Sequence, residues 1–114
     1  MAKTPKRLYG PALLTGATLT KYTVPALTKT IVRHIHLENN DSVAHQVTIS
    51  VGADAAATRL LDAYSIPGAA AGVTGSVVDL WCYLVLDAAE IVAAFADTTL
   101  KVGITINGDE LTLG

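Results

Sequence analysis

The sequence predicts an all-β protein, an antiparallel β-sandwich of jelly-roll-like type with about eight short strands and an extended N-terminal arm. Three observations predict it. Short stretches rich in Val, Ile, Thr and Tyr recur along the chain, several of them alternating apolar with polar residues. Clusters of Gly, Pro, Asn and Asp separate them at intervals of roughly 8–16 residues. The apolar content is 51% of the chain but is mainly small or branched, with four tyrosines, one phenylalanine and one tryptophan. That composition suits a thin core between two sheets.

The elements follow in order. Residues 1–17 read as an arm, because "AKTPKRLYGPALL" carries two prolines and a glycine, and proline is excluded from the interior of a sheet. Residues 18–114 read as one domain. "TLTKYTV" (18–24) alternates and stops at Pro25, and "KTIVRHIHLE" (29–38) is a long strand ended by the turn cluster "NNDS". "AHQVTISV" (44–51) alternates Gln46, Thr48 and Ser50 against Val47, Ile49 and Val51. "LLDAYSI" (60–66) stops at Pro67-Gly68, and "SVVDLWCYLVL" (76–86) is long and apolar. "DAAEIVAAFAD" (87–97) has the alanine content of a helix; set among strands, it reads as a strand after a bend at "DAAE". "LKVGITIN" (100–107) and "ELTL" (110–113) are read as two strands joined by an "NGDE" turn, since Asn-Gly favours hairpins.

Net charge is −2, which gives no long-range field for nucleic acid. Lys3, Lys6 and Arg7 nevertheless make the first residues basic. Cys82 is the single cysteine, so no internal disulfide holds the fold. Its setting, "LWCYLVL", predicts a buried thiol and a buried Trp81. No apolar run follows the basic start, and no stretch reaches about 18 apolar residues. The chain is therefore expected to be made in a cytoplasm, not secreted, with no membrane partner.

"RHIH" (33–36) is the stretch that most resembles chemistry. His34 and His36 share one strand face, and Glu38 continues that face. His45 is the obvious third ligand. Matching the apolar faces of 29–38 and 44–51 as neighbours pairs residue 35 with 47 and 37 with 45, which puts His45 on the opposite face. The cupin pattern also fails. Thr28 stands at its glycine, Asn40 and Asp41 at its glutamate, and no histidine follows His45. "RHIH" is accordingly expected to be a polar sheet face or a subunit interface, with His34, His36 and Glu38 as weak metal candidates and no cofactor. Arg33 falls on the apolar row, so it should lie at a sheet end, be paired, or sit in an interface.

No G-x-S-x-G, P-loop or dinucleotide motif is present, and the acidic residues are scattered. The chain is expected not to be an enzyme.

The stretches "RLYGPALLT", "LTKYTVPALTKTIVRHIHLEN", "TISVGADAAATRLLDAYSIP" and "ITINGDE" resemble small proteins encoded among the structural genes of tailed bacteriophages. "LVLDAAEIVAAFA" is similar to that group's L-x-A-G-E-x-I strand pair, with Ala89 at the usual glycine, and supports a strand over 90–96. The resemblance implies a virion component, a β-sandwich of head-decoration or cement type, which is a homo-oligomer (a trimer by preference) bound to the major capsid protein or other virion proteins. Tail, neck or fibre protein, and a receptor- or carbohydrate-binding module, are the alternatives. The attachment element is expected in the arm, at Lys3, Lys6, Arg7, Leu8, Tyr9, Pro11, Leu13 and Leu14. The loops "GADAAAT" and "GAAAGVTG" are second candidates.

Overall fold

A computed structural model describes residues 2–68 and 76–113. Among them, eight strands form two four-stranded antiparallel sheets. The strands are β1 (Ala2–Leu13), β2 (Leu19–Thr23), β3 (Thr28–Asn39), β4 (His45–Val51), β5 (Arg59–Ile66), β6 (Val77–Leu86), β7 (Ile91–Ala96) and β8 (Val102–Thr112). The first sheet runs β1-β8-β3-β6 and the second β2-β7-β4-β5. This is the strand order of a jelly roll, as the sequence predicts. Every connection except β4–β5 passes from one sheet to the other.

The core lies between the sheets. Val32, Ile35 and Leu37 of β3 and Val102, Ile104 and Ile106 of β8 meet Val47 and Ile49 of β4 and Val92, Ala94 and Ala96 of β7. Ala94 and Ala96 of β7 are buried in this core beside Val92, and that burial outweighs the helix propensity of the alanines. The bend before β7 places Ala89 at φ 71°, the left-handed region where a glycine is easiest.

Four expectations are corrected. The N-terminal segment does not stand apart as an arm over its first 13 residues: Ala2–Leu13 is an edge strand bonded along β8. Its prolines, Pro5 and Pro11, are tolerated because the strand has an unpaired side. The "NGDE" turn does not exist, since β8 passes straight through Asn107 and Gly108. Gly108 serves close approach: a Cβ there would lie 2.1 Å from the Ile31 carbonyl oxygen. β3 and β4 are not a hairpin but lie in opposite sheets, so the register 35–47 and 37–45 is replaced by β3 pairing with β8 and β6. Finally, the apolar row of residues 29–38 on which Arg33 falls, Ile31, Ile35 and Leu37 by their alternation, is not one inward row, although Ile31 is itself buried. The register slips between Val32 and His34 against both neighbours, so Val32, not Ile31, precedes Ile35 in the core. The loop "GAAAGVTG" lies outside the described residues from residue 69 to 75.

Candidate functional site on the outer face of the first sheet

The bulge at Arg33 sets the phase of β3. Beyond it, Ile35 and Leu37 point inward, and His34, His36 and Glu38 point to the outer face with Gly103, Thr105 and Asn107 of β8. On the other side stands β6, whose exposed residues are Val77, Asp79, Trp81, Tyr83 and Val85. Cross-strand rows result. His36 faces Thr105 and Asp79, and His34 faces Asn107 and Trp81. On β3 and β8 this outer face is polar, whereas β6 adds the exposed apolar Val77, Trp81, Tyr83 and Val85 beside Asp79.

The two histidines converge on one carboxylate oxygen. His34 Nε2 is 2.8 Å and His36 Nδ1 is 2.7 Å from Asp79 Oδ1. These imidazoles, His36 foremost, hold the Asp79 carboxyl below the usual carboxylate range. The other nitrogen of His34 is 3.1 Å from Asn107 Nδ2. The Trp81 indole stacks on the His34 ring at 4.1 Å between centroids, with planes 21° apart. His34, His36 and Asp79 bring three ligand atoms within 4.8 Å of one another. Glu38 is not in this group. It is exposed and packs its stem over Gly103, at the edge of a cavity of about 180 Å³ that Pro11, Leu13, His36 and Thr105 help to line.

Along the same face, Arg33 donates to the Asp109 carboxylate, and its guanidinium lies 5.3 Å from the Tyr83 ring centre. Lys3 Nζ is 3.7 Å from Asp109. The Arg33 guanidinium keeps the nearly buried Asp109 carboxyl below its usual range. The bulge thus lifts Arg33 out of the apolar row and gives it a partner.

Trp81 is the clearest departure. The sequence predicts burial; the structure leaves it 74% exposed, with Tyr83 at 63%. β6 is an edge strand, and its odd-numbered residues face water. The signal lay in the alternation, since Asp79 shares the phase of Trp81. Cys82, of opposite phase, is half-buried, and burial pushes its thiol up. Asp79 itself was missed because its 43-residue separation from His36 leaves no local trace.

His45 belongs elsewhere. Its Nε2 is 2.7 Å from Asp41 and its Nδ1 2.9 Å from Asp97, so it bridges the 40–44 connection to the end of β7. Of the residues expected in the arm, Lys3 and Lys6 turn back onto Asp109 and Glu110. Leu8 and Tyr9 pack on the core, whereas Arg7, Pro11 and Leu13 are exposed. Leu14 is fully buried and is corrected: it is a core residue and cannot reach a partner.

No protein-family model and no curated protein matches the sequence. Among solved structures, one at a TM-score above 0.5 shares its fold, and two others give weaker matches. A subunit of Bacillus endospore appendages, described as a family of disulfide-linked pili, is 13% identical with a TM-score of 0.53; the match covers 98% of this chain and 89% of that one. The infectious bursal disease virus VP2 subviral particle gives 9% identity and a TM-score of 0.43, with 99% of this chain on 32% of that chain. The Gt strain of that virus gives 12% identity and a TM-score of 0.33, with 96% of this chain on 28% of that chain.

Proposed function

We propose that the chain is a non-enzymatic structural subunit of a virion, of the capsid-decoration type, which associates with copies of itself and with the shell. The observation that carries this reading is the outer stripe of β6. Val77, Trp81, Tyr83 and Val85 are each between 47% and 74% exposed on a single edge strand. Exposed apolar patches with aromatic anchors mark interaction surfaces, and Trp and Tyr dominate the energetics of such surfaces. Among the described residues one edge of β6 has no neighbouring strand, which adds a row of backbone donors and acceptors for another strand. The sequence resemblance to phage structural proteins supports the virion setting, and a jelly roll is a fold from which shells are built. A subunit that binds only the assembled shell stabilises that state alone.

Quantitative mass spectrometry of purified virions tests the reading. A copy number comparable with the major capsid protein is the expected result. A count nearer about a dozen per particle, as a ring or fibre would give, moves the chain to neck, tail or fibre. Absence from the particle overturns the virion assignment.

The exposure of Trp81 and Tyr83 also favours a second reading, a carbohydrate-recognising module with an aromatic platform. Saturable binding on a glycan array, lost in a folded Trp81→Ala variant, would establish it.

A further inference from the structure

We infer that His34, His36 and Asp79 form a binding site for a divalent transition-metal ion of the zinc type, a clasp between β3 and the edge strand β6.

The geometry argues this in steps. His34 offers Nε2 and His36 offers Nδ1, and both aim at the same atom, Asp79 Oδ1, at 2.8 and 2.7 Å. All three ligand atoms fall within 4.8 Å of one another. A zinc ion bound at about 2.0–2.2 Å in tetrahedral geometry needs ligand separations of about 3.3 Å. The nitrogen–oxygen separations therefore have to open by about half an ångström. Asp79, whose side chain is 44% exposed, can supply that by a small rotation.

The histidines are held as ligands commonly are. Asn107 contacts the far nitrogen of His34 at 3.1 Å. With its amide turned, the Asn107 oxygen accepts from Nδ1–H and leaves Nε2 free to ligate. Trp81 stacks on the same ring and fixes its plane. His45 is the instructive contrast. Its two nitrogens bond Asp41 and Asp97 on opposite sides of the ring, so those groups do not meet at one point.

Two imidazoles and one carboxylate suit zinc and its neighbours, whereas calcium and magnesium want oxygen donors. Three protein ligands leave one tetrahedral position on the solvent side for water or a donor from another molecule. Because two ligands stand on β3 and one on β6, binding also ties the edge strand to the sheet.

The test uses the full chain, stripped with chelator and titrated with zinc chloride by calorimetry. One saturable site per chain is expected, with a higher Tm in the presence of zinc and little response to magnesium. His36→Gln and Asp79→Asn, each checked for folding by circular dichroism, should weaken binding by at least about tenfold; His45→Gln should leave it in place. A readout free of substitution is the ¹⁵N spectrum of the wild-type imidazoles. Zinc should move His34 Nε2 and His36 Nδ1 and leave His45 unmoved. No saturable binding, undiminished binding in both variants, or a response confined to His45 would each overturn the inference.

Discussion

Gly108 shows how a single hydrogen decides strand geometry. A Cβ at this position would meet the Ile31 carbonyl oxygen at 2.1 Å and Leu8 Cδ1 at 3.0 Å. Gly108→Ala must therefore push β8 away from β3. The expected cost is about 1–3 kcal/mol, read as a lower urea midpoint at unchanged slope. Ala89 makes the opposite prediction. At φ 71° it holds a conformation that costs an L-residue roughly 1–2 kcal/mol. Ala89→Gly relieves this but loosens the unfolded chain, so a net gain of about 0.5–1 kcal/mol is expected. Charged residues add a pH dependence. Arg33 lowers the pKa of Asp109, and Tyr22 followed by Lys6 lowers that of Glu110. Groups with lowered folded values stabilise above their unfolded pKa and lose that contribution as pH falls through the folded one. His45 is the reverse: Asp41, then Asp97, raise its pKa. Its contribution is complete below the unfolded value of about 6.5 and is lost as pH rises through the folded value. Urea midpoints should fall on the acid side below about pH 4 and step down again on the alkaline side above about pH 6.5. Asp41→Asn should shrink the alkaline step most, and Asp97→Asn should shrink it less. Tyr22, its hydroxyl buried against Glu110 and Thr30 and pushed up to about 12, stays protonated throughout.

At the scale of elements, alternation was readable and partners were not. Val47 and Ile49 of β4 and Val102, Ile104 and Ile106 of β8 are inward, as their spacing predicts. Residues 91–96 are a strand despite their alanines, because neighbours two layers deep outweigh intrinsic propensity. Pairing failed where it rested on proximity in sequence. β3 and β4 follow one another across a short connection, yet that connection crosses the sandwich. Asn107-Gly108 carries hairpin chemistry but lies between β1 and β3, which hold it extended. The bulge at Arg33 had one visible sign, a cation on an apolar row, and the structure resolves it by the pair with Asp109. Removal of Arg33 leaves that nearly buried carboxylate with only the longer Lys3 contact. Arg33→Ala should therefore lower Tm more than Lys3→Ala does, in melts of the two variants side by side. The His34–His36–Asp79 cluster was half legible: the His-x-His spacing fixed two members, and only the β3–β6 register supplied the third.

For the molecule as a whole, the first and last strands close one sheet together. β1 covers the edge of β8, and Leu8 and Tyr9 pack on the core. Deleting residues 1–13 should therefore expose β8 and drive aggregation, in contrast to the removal of a detached arm. Light scattering on the truncated chain checks this. The apolar stripe on β6 carries the central proposal, that the chain packs against other copies of itself. Sedimentation velocity over a wide concentration range tests it most directly, with the wild type beside a Trp81→Ser, Tyr83→Ser variant. The account predicts a discrete oligomer for the wild type and a folded monomer for the variant. A wild type that stays monomeric at every concentration, or a variant that assembles equally well, would contradict it.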